Sequence, residues 1–445
     1  MKRFALILVS SIIVSTVAVA QDTRMLTVEE AIATALRTNY DIALSKNDSM
    51  VAAIDYLYRN AAFLPTINGE ANDIWNRNNQ RLRFVKRVGG GDSLVNRDAV
   101  RTHNLNYSAN LQWTLFDGLR MFATRKKAEE FLTLGSLTVK NQVINTVADV
   151  ITTYYDVVRQ KQQLRAVDEQ IVLNEERVRL AQYKLDIGTG AKPDLLQSKV
   201  DLNAQKSLRL QQLALIEQLK DQLNQVMNLP ARSRFEVADS IPLNQGIALA
   251  DISEGIADSN PTLLIAQKNV DIARLTLKER KADRWPVVRF NSAYNFTQND
   301  NSVAVNINQP IFNSNRGFNY GLSATIPIFN QFTVRRLIRQ GELDIRYQQL
   351  VLDNQRTLVN LSVLNAYTSY EQQKQALALE EENIKLAREN VDIVFQVYKL
   401  GAATLVQLRE AQSSLEDANN RLIAARYSTK LAETELIRLK GDMVK

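Results

Sequence analysis

Side chains suited to covalent or acid–base chemistry are scarce in this sequence. It has one histidine, His103, and no cysteine. A His- or Cys-based metal site needs several such ligands, and a nucleophile–base triad needs its partners within reach. No phosphate-cradling glycine loop follows a predicted strand, and no nucleophile sits beside a base. The many carboxylates lie on segments of helical period, where solvated surface charge accounts for them. Neither a cofactor nor a metal is expected, and the chain is not expected to be an enzyme. What remains is the chemistry of charge and hydrogen bonding. A basic segment over 79–101 carries Arg81, Arg83, Lys86, Arg87, Arg97 and Arg101 around Gly89-Gly90-Gly91. It reads as a solvated loop whose cations could meet lipid phosphates. The formal net charge is +7 with basic residues spread along the chain, so nucleic acid is not an expected partner.

The elements that must position such groups begin after a leader. Lys2 and Arg3 precede a mainly apolar stretch, and Ala18-Val19-Ala20 offers the small-x-small pattern of a signal peptidase site. Residues 1–20 are therefore predicted to be a signal peptide, with cleavage before Gln21. The absence of cysteine leaves an exported chain without disulfide staples and without the cysteine that an N-terminal lipid anchor requires. Beyond the leader, no uninterrupted apolar run reaches the ~18 residues of a spanning helix. Any membrane crossing must use β-strands.

An internal duplication organises the rest. A constant offset of 213 pairs Phe116 with Phe329, Tyr154 with Tyr367, Gly188 with Gly401 and Leu195 with Leu408. Earlier in the halves the offset is 221, pairing Asn39 with Asn260 and Pro65 with Pro286. The predicted organisation is a first repeat over 21–228, a linker over 229–250 and a second repeat over 251–445. Each repeat runs helix, strand, loop, strand, long helix, turn, helix. The first helices are predicted over 27–62, with Thr27 and Glu30 in capping-box positions, and over 251–283. The long helices span about 119–187 and 331–399, free of proline, and ~70 residues at 1.5 Å each give ~100 Å. Leu164, Val167, Ile171, Asn174, Val178, Ala181 and Leu185 alternate spacings of three and four. Their counterparts Leu377, Glu380, Ile384, Ala387, Val391, Val394 and Tyr398 keep the register. That is a coiled-coil seam. Return helices follow over 194–228 and 405–440.

The strands are predicted in pairs, about 66–78 with 102–116 and 287–299 with 316–329. Leu105, Tyr107, Ala109, Leu111, Trp113 and Leu115 alternate with Asn104, Asn106, Ser108, Asn110, Gln112 and Thr114. Such alternation also fits a half-buried soluble sheet. The strand length, the amide- and hydroxyl-rich polar faces, and Trp75, Trp113 and Trp285 on or near strands favour a membrane barrel. Four strands cannot close around water, and open edges are not viable in a bilayer. Oligomerisation is required, and three chains would supply twelve strands.

This pattern resembles the TolC-like outer membrane efflux protein family over essentially all of the chain after the leader. The resemblance rests on the duplication, on Pro65 and Pro286, and on the strand exits Leu115-Phe116-Asp117-Gly118 and Ile326-Pro327-Ile328-Phe329-Asn330. Its sharpest part is the helical tip Tyr398-Lys399-Leu400-Gly401 followed by Thr404 and Leu405, echoed by Ile187-Gly188. The fold it implies is an α+β membrane protein whose long antiparallel coiled coils form a trimeric periplasmic tunnel below a twelve-stranded barrel. The function it implies is a passive export conduit in the outer membrane of a Gram-negative bacterium, within a tripartite efflux or type I secretion system. The implied partners are two further copies of the chain, a periplasmic adaptor, an inner-membrane pump of RND, ABC or MFS class, and outer-membrane lipid. The implied adaptor-docking tips are Gly188, Tyr398, Gly401, Thr404 and Leu405. Glu410, Gln407 and Asp194 match the positions of a constriction, although Gln407 stands where a carboxylate is usual. Ala403 replaces a basic partner that can brace the closed state. The alternative class is a periplasmic adaptor, which needs one helical hairpin rather than two repeats with inserted strands.

Overall fold

The computed structural model describes residues 25–84, 93–244, 246–304 and 310–443. The expected signal peptide lies outside the described residues, as do Lys86, Arg87 and the three glycines of the basic segment. A short strand β1 (Met25–Leu26) leads into helices α1 (Val28–Thr38) and α2 (Tyr40–Leu57). Strands β2 (Thr66–Phe84) and β3 (Ser93–Phe116), the long helix α3 (Arg120–Asp186) and the return helix α4 (Lys192–Val226) complete the first half. Strand β4 (Glu236–Val237) lies between the halves. The second half holds α5 (Leu249–Ser253), α6 (Ile256–Ser259), α7 (Pro261–Ala282), β5 (Val287–Asn301), β6 (Phe312–Thr325), α8 (Thr333–Lys399) and α9 (Leu405–Lys440). The long helices match the expected boundaries within two residues, because nothing in them interrupts the helical hydrogen-bond ladder. Each has 67 residues, ~100 Å at the helical rise.

The first helix of each half is broken where helical periodicity alone would carry it through. Asn39 takes an extended conformation (φ −62°, ψ 131°), and its Oδ1 accepts from the N–H groups of Asp41 and Ile42 at 2.9 and 3.1 Å. It therefore caps a new helix, α2. In the second half Asn260 does the same for α7, accepting from Thr262 and Leu263 at 3.0 and 3.2 Å. The paired asparagines of the duplication are thus paired helix caps.

The chain divides into two units. One comprises residues up to Ala43, Gln142–Ser259 and the chain from Asn360. Its main core gathers Ala31, Ala35, Val150, Tyr154, Val157, Leu223, Met227 and Val237. The parallel pair β1–β4 lies here, with β4 inside the segment expected to be a plain linker; two-residue strands leave no periodicity to read. Tyr154 locks that pair, its hydroxyl donating to Leu26 O at 2.8 Å and accepting from Ala238 N at 3.1 Å. Tyr370 pins the same connection farther on, donating to Asn244 O at 2.6 Å.

Within this unit the predicted α8 seam is in place. Leu377, Val391 and Tyr398 are buried and the other four members are half-buried. Glu380 is tolerated because Arg421 of α9 meets both its carboxylate oxygens at 3.1 and 3.2 Å. The α3 seam is in place as well: Val167, Asn174 and Ala181 are buried and the other four members are half-buried. Gln170 and Arg177, each one position before a seam residue, are buried too and widen the stripe. Polar partners make that extra burial tolerable for Arg177, as described below.

The second unit comprises Leu44–Asn141 and Asn260–Val359. Its antiparallel sheet has strand order β2-β3-β5-β6, so β2 and β6 are edges. One row runs Ala71–Tyr107–Phe296–Arg316 and the next Asn72–Asn106–Thr297–Asn315, which separates an apolar from an amide face. Pairing of β2 with β3 continues past a bulge at Asn78/Gln80 up to Phe84 with Ser93. Arg81, Arg83, Arg97 and Arg101 therefore stand on strands, not in the expected loop. Backbone pairing extends the hairpin where no apolar alternation announces it. β6 starts earlier than expected, at Phe312, and stops at Thr325, two residues short of Pro327, which cannot donate to a ladder.

Gly118 closes the β3–α3 corner at φ +71°, where a Cβ would lie 2.5 Å from Ala282 O and 2.9 Å from Trp285 Cβ. Asp117 caps α3 through Met121 N at 3.0 Å. In the same unit Lys268 pairs with Glu130 at 2.6 Å, and Glu279 holds both Lys127 and Thr124.

Candidate functional site: helical tips and their polar bracket

Both long helices end in the same motif. The N–H of Gly188 donates to Leu185 O at 3.0 Å and that of Thr189 to Lys184 O at 2.9 Å. In the second half Gly401 donates to Tyr398 O and Ala402 to Val397 O, each at 3.1 Å. This is a Schellman closure, which needs a left-handed residue, and the glycines supply φ of +76° and +81°. Nothing lies within 4 Å of a Cβ added at either. The glycines are therefore required by the turn, and both stand exposed.

The residues expected at the tips divide into a surface and a foundation. Thr404 is exposed and caps α9 reciprocally with Gln407. The Thr404 N–H donates to Gln407 Oε1 at 2.9 Å, and the Gln407 N–H donates to Thr404 Oγ1 at 3.3 Å. Tyr398 and Leu405 are buried, packed with Leu408, Leu180 and Phe395. Lys184 joins the two tips: its Nζ donates to Tyr398 O at 2.6 Å and lies 3.9 Å from the Tyr398 ring centroid. Burial pushes the Tyr398 phenol above its ordinary pKa, and the charge of Asp194 adds to the shift. The apolar side chains presented at the tips are Ile187, Leu196, Leu400 and Val406, with Leu400 at 85% exposure. Ile187 and Leu400 belong to the tip motifs read from the sequence, whereas Leu196 and Val406 were missed, because an apolar residue near a turn carries no sign of whether it packs.

Gln407 and Glu410 share an open groove of about 410 Å³ with Asn390, Val394, Ala403 and Ser414. Asp194 is not part of it; it stands half-buried in the first turn of α4, beside Tyr398. Engagement in the α9 cap explains glutamine at 407, since its amide oxygen completes the box without adding a charge.

Behind the tips lies a buried bracket that the sequence did not reveal. Arg177 is 2% exposed. Its Nη2 donates to Asp201 Oδ2 at 2.6 Å and its Nη1 to Gln412 Oε1 at 2.7 Å. Arg409 reaches the same Asp201 oxygen at 3.0 Å, and Gln197 donates to the other at 2.8 Å. Burial lowers the pKa of the Arg177 guanidinium and the Asp201 charge opposes that. Helices α3, α4 and α9 are thus bound through one carboxylate. The only available signal was an arginine one position off an apolar seam, which ordinarily reads as a surface charge.

Three comparisons bear on this geometry. The family model described as "Outer membrane efflux protein" matches residues 31–231 and 253–442, following both repeats. Among curated relatives, outer membrane efflux protein BepC of Brucella suis is 22% identical over 344 residues, covering 75% of this chain and 71% of that protein. Outer membrane protein TolC of Vibrio cholerae is 22% identical over 408 residues, covering 86% and 83%. Solved structures with the same fold include the outer membrane protein VceC of Vibrio cholerae, with TM-score 0.77, 13% identity and coverage of 93% and 96%. CusC aligns with TM-score 0.75, 16% identity and coverage of 93% and 91%.

Proposed function

The chain belongs to the outer membrane efflux protein family, and we propose that three copies assemble into a passive export conduit spanning the outer membrane and entering the periplasm. The observation that carries this reading is the sheet. It has one apolar face, one amide face and two unpaired edges, an arrangement that hydrocarbon does not tolerate unless the edges close on other copies. The apolar rows from Val288 to Phe296 span ~27 Å at the strand rise, close to the ~25 Å lipid band of outer-membrane barrels. No helix among the described residues is long and apolar enough to cross a membrane. In this reading the leader at 1–20 directs export, and the long helices of each copy bundle into a tunnel.

The tips are proposed to dock a periplasmic adaptor. Gly188, Gly401 and Thr404 shape the surface, Leu400 and Val406 supply apolar contact, and Tyr398 and Leu405 hold it from beneath. Energy comes from an inner-membrane pump. Glu410, with Gln407 and Asp194, is proposed to line the constriction, where a threefold carboxylate ring would favour cations. Detergent-extracted protein should migrate as a heat-sensitive species of three chains and conduct ions in planar bilayers. A monomer soluble without detergent, or a trimer that does not conduct, overturns the reading.

A further inference from the structure

The polar face of the sheet is almost free of charge. Between the Thr114 and Asn104 rows it consists of amides, hydroxyls and small residues, typified by Asn68, Asn106, Asn295 and Asn315. Some of these bond along the face: Asn110 Nδ2 donates to Ser108 Oγ at 3.0 Å, and Asn291 Nδ2 to Ser323 Oγ at 2.9 Å. Ile74 in the Asn104 row is the apolar exception, and two side chains carry charge, Glu70 and Arg289. Glu70 shares its row with Ser108, Asn295 and Gly317, so the row is small and open around it. Arg289 stands between Thr114 and Ser323 at the end of the face from which α3 departs. From Arg289 to the row of Glu70 is six residues along β5, ~20 Å at the strand rise and beyond one Debye length. Neither forms an ion pair within the chain among the described residues.

We propose that Glu70 and Arg289 are the charge-selecting residues of this face, forming two separate rings of opposite sign that solutes meet in turn. The proposal rests on the threefold conduit reading, in which this face lines water. An amide wall solvates cationic, anionic and neutral solutes alike. Discrimination then falls to the two charged levels: Glu70 concentrates cations and Arg289 concentrates anions. Because the rings lie more than a screening length apart, they do not cancel. The cargo class that fits is polar and hydrogen-bonding, and zwitterionic solutes satisfy both levels.

The chain has no cysteine, which permits a local probe. Trimers carrying Ser108→Cys report the potential beside Glu70, and trimers carrying Asn291→Cys report it near Arg289. The rates of modification by a cationic and an anionic methanethiosulfonate of similar size are compared at each site. Adding Glu70→Gln to the Ser108→Cys trimer should lower its cationic-to-anionic ratio by roughly twofold or more. Adding Arg289→Gln to the Asn291→Cys trimer should raise its ratio by a similar factor. The effects should shrink in high salt. Modification of both introduced thiols with ratios unmoved by either neutralisation overturns the proposal while leaving the conduit intact. Failure of both reagents to modify either thiol in trimers overturns the conduit reading itself, and this inference with it.

Discussion

Gly118 and Gly401 share a left-handed backbone, with φ of +71° and +81°, but a Cβ would meet different surroundings at the two. At Gly401 it meets nothing, so Gly401→Ala carries only the conformational penalty, about 1 kcal/mol. At Gly118 it collides with Ala282 O, and overpacking adds to the same penalty, giving about 2–4 kcal/mol. The thermal midpoint of Gly118→Ala should therefore fall well below that of Gly401→Ala; equal midpoints would contradict the contact geometry. The bracket supports a second expectation. Asp201→Leu leaves Arg177 charged and buried without its main partner, which costs about 3–5 kcal/mol. Arg177→Met combined with Asp201→Leu should recover most of that loss. A double variant no more stable than Asp201→Leu alone would show that the carboxylate acts through Arg409 instead. At the groove, Glu410→Ala should raise single-channel conductance and weaken divalent-cation block if three Glu410 side chains converge. Unchanged conductance and block would remove Glu410 from the constriction.

At the scale of elements, the long helices were the most legible part of the sequence. Freedom from proline over about 70 positions and an apolar seam of three-and-four spacing allow one conformation, and α8 buries the seam as expected. Legibility failed where backbone geometry or polar partners take over from apolar pattern. Asn39 and Asn260 split helices whose periodicity continues across the break, although their pairing in the duplication was visible. The β2–β3 hairpin continues through arginines because backbone pairing needs no apolar face. Gln170 and Arg177 widen the buried α3 stripe beyond its apolar positions, because Asp201 and Gln412 make burial of Arg177 tolerable. The α8 helix also carries Leu379, Leu386 and Ile393 at intervals of seven, each more than half exposed. A heptad stripe left open in one chain suits a helix of a neighbouring copy. Leu386→Glu is expected to preserve helix content by circular dichroism while depleting the trimer band; a full trimer band would place the stripe outside the interface.

At the scale of the whole molecule, the family was legible because duplication, strand alternation and the tip sequence are distributed over nearly all of the chain. The tip residues were legible as positions but not as roles. Burial of Tyr398 and Leu405 and the capping by Gln407 are properties of packing, and spacing alone does not contain them. The account turns on one claim, that the sheet crosses the outer membrane with its amide face to water and its apolar face to lipid. Single cysteines placed in turn from Asn104 to Leu115, in trimers within outer-membrane vesicles, test it directly with a water-soluble maleimide. Modification is expected at Asn104, Asn106, Ser108, Asn110, Gln112 and Thr114, with protection at Tyr107, Ala109, Leu111 and Trp113 between them. Uniform modification of both sets, or protection of both, would contradict the membrane-spanning sheet and the conduit built upon it.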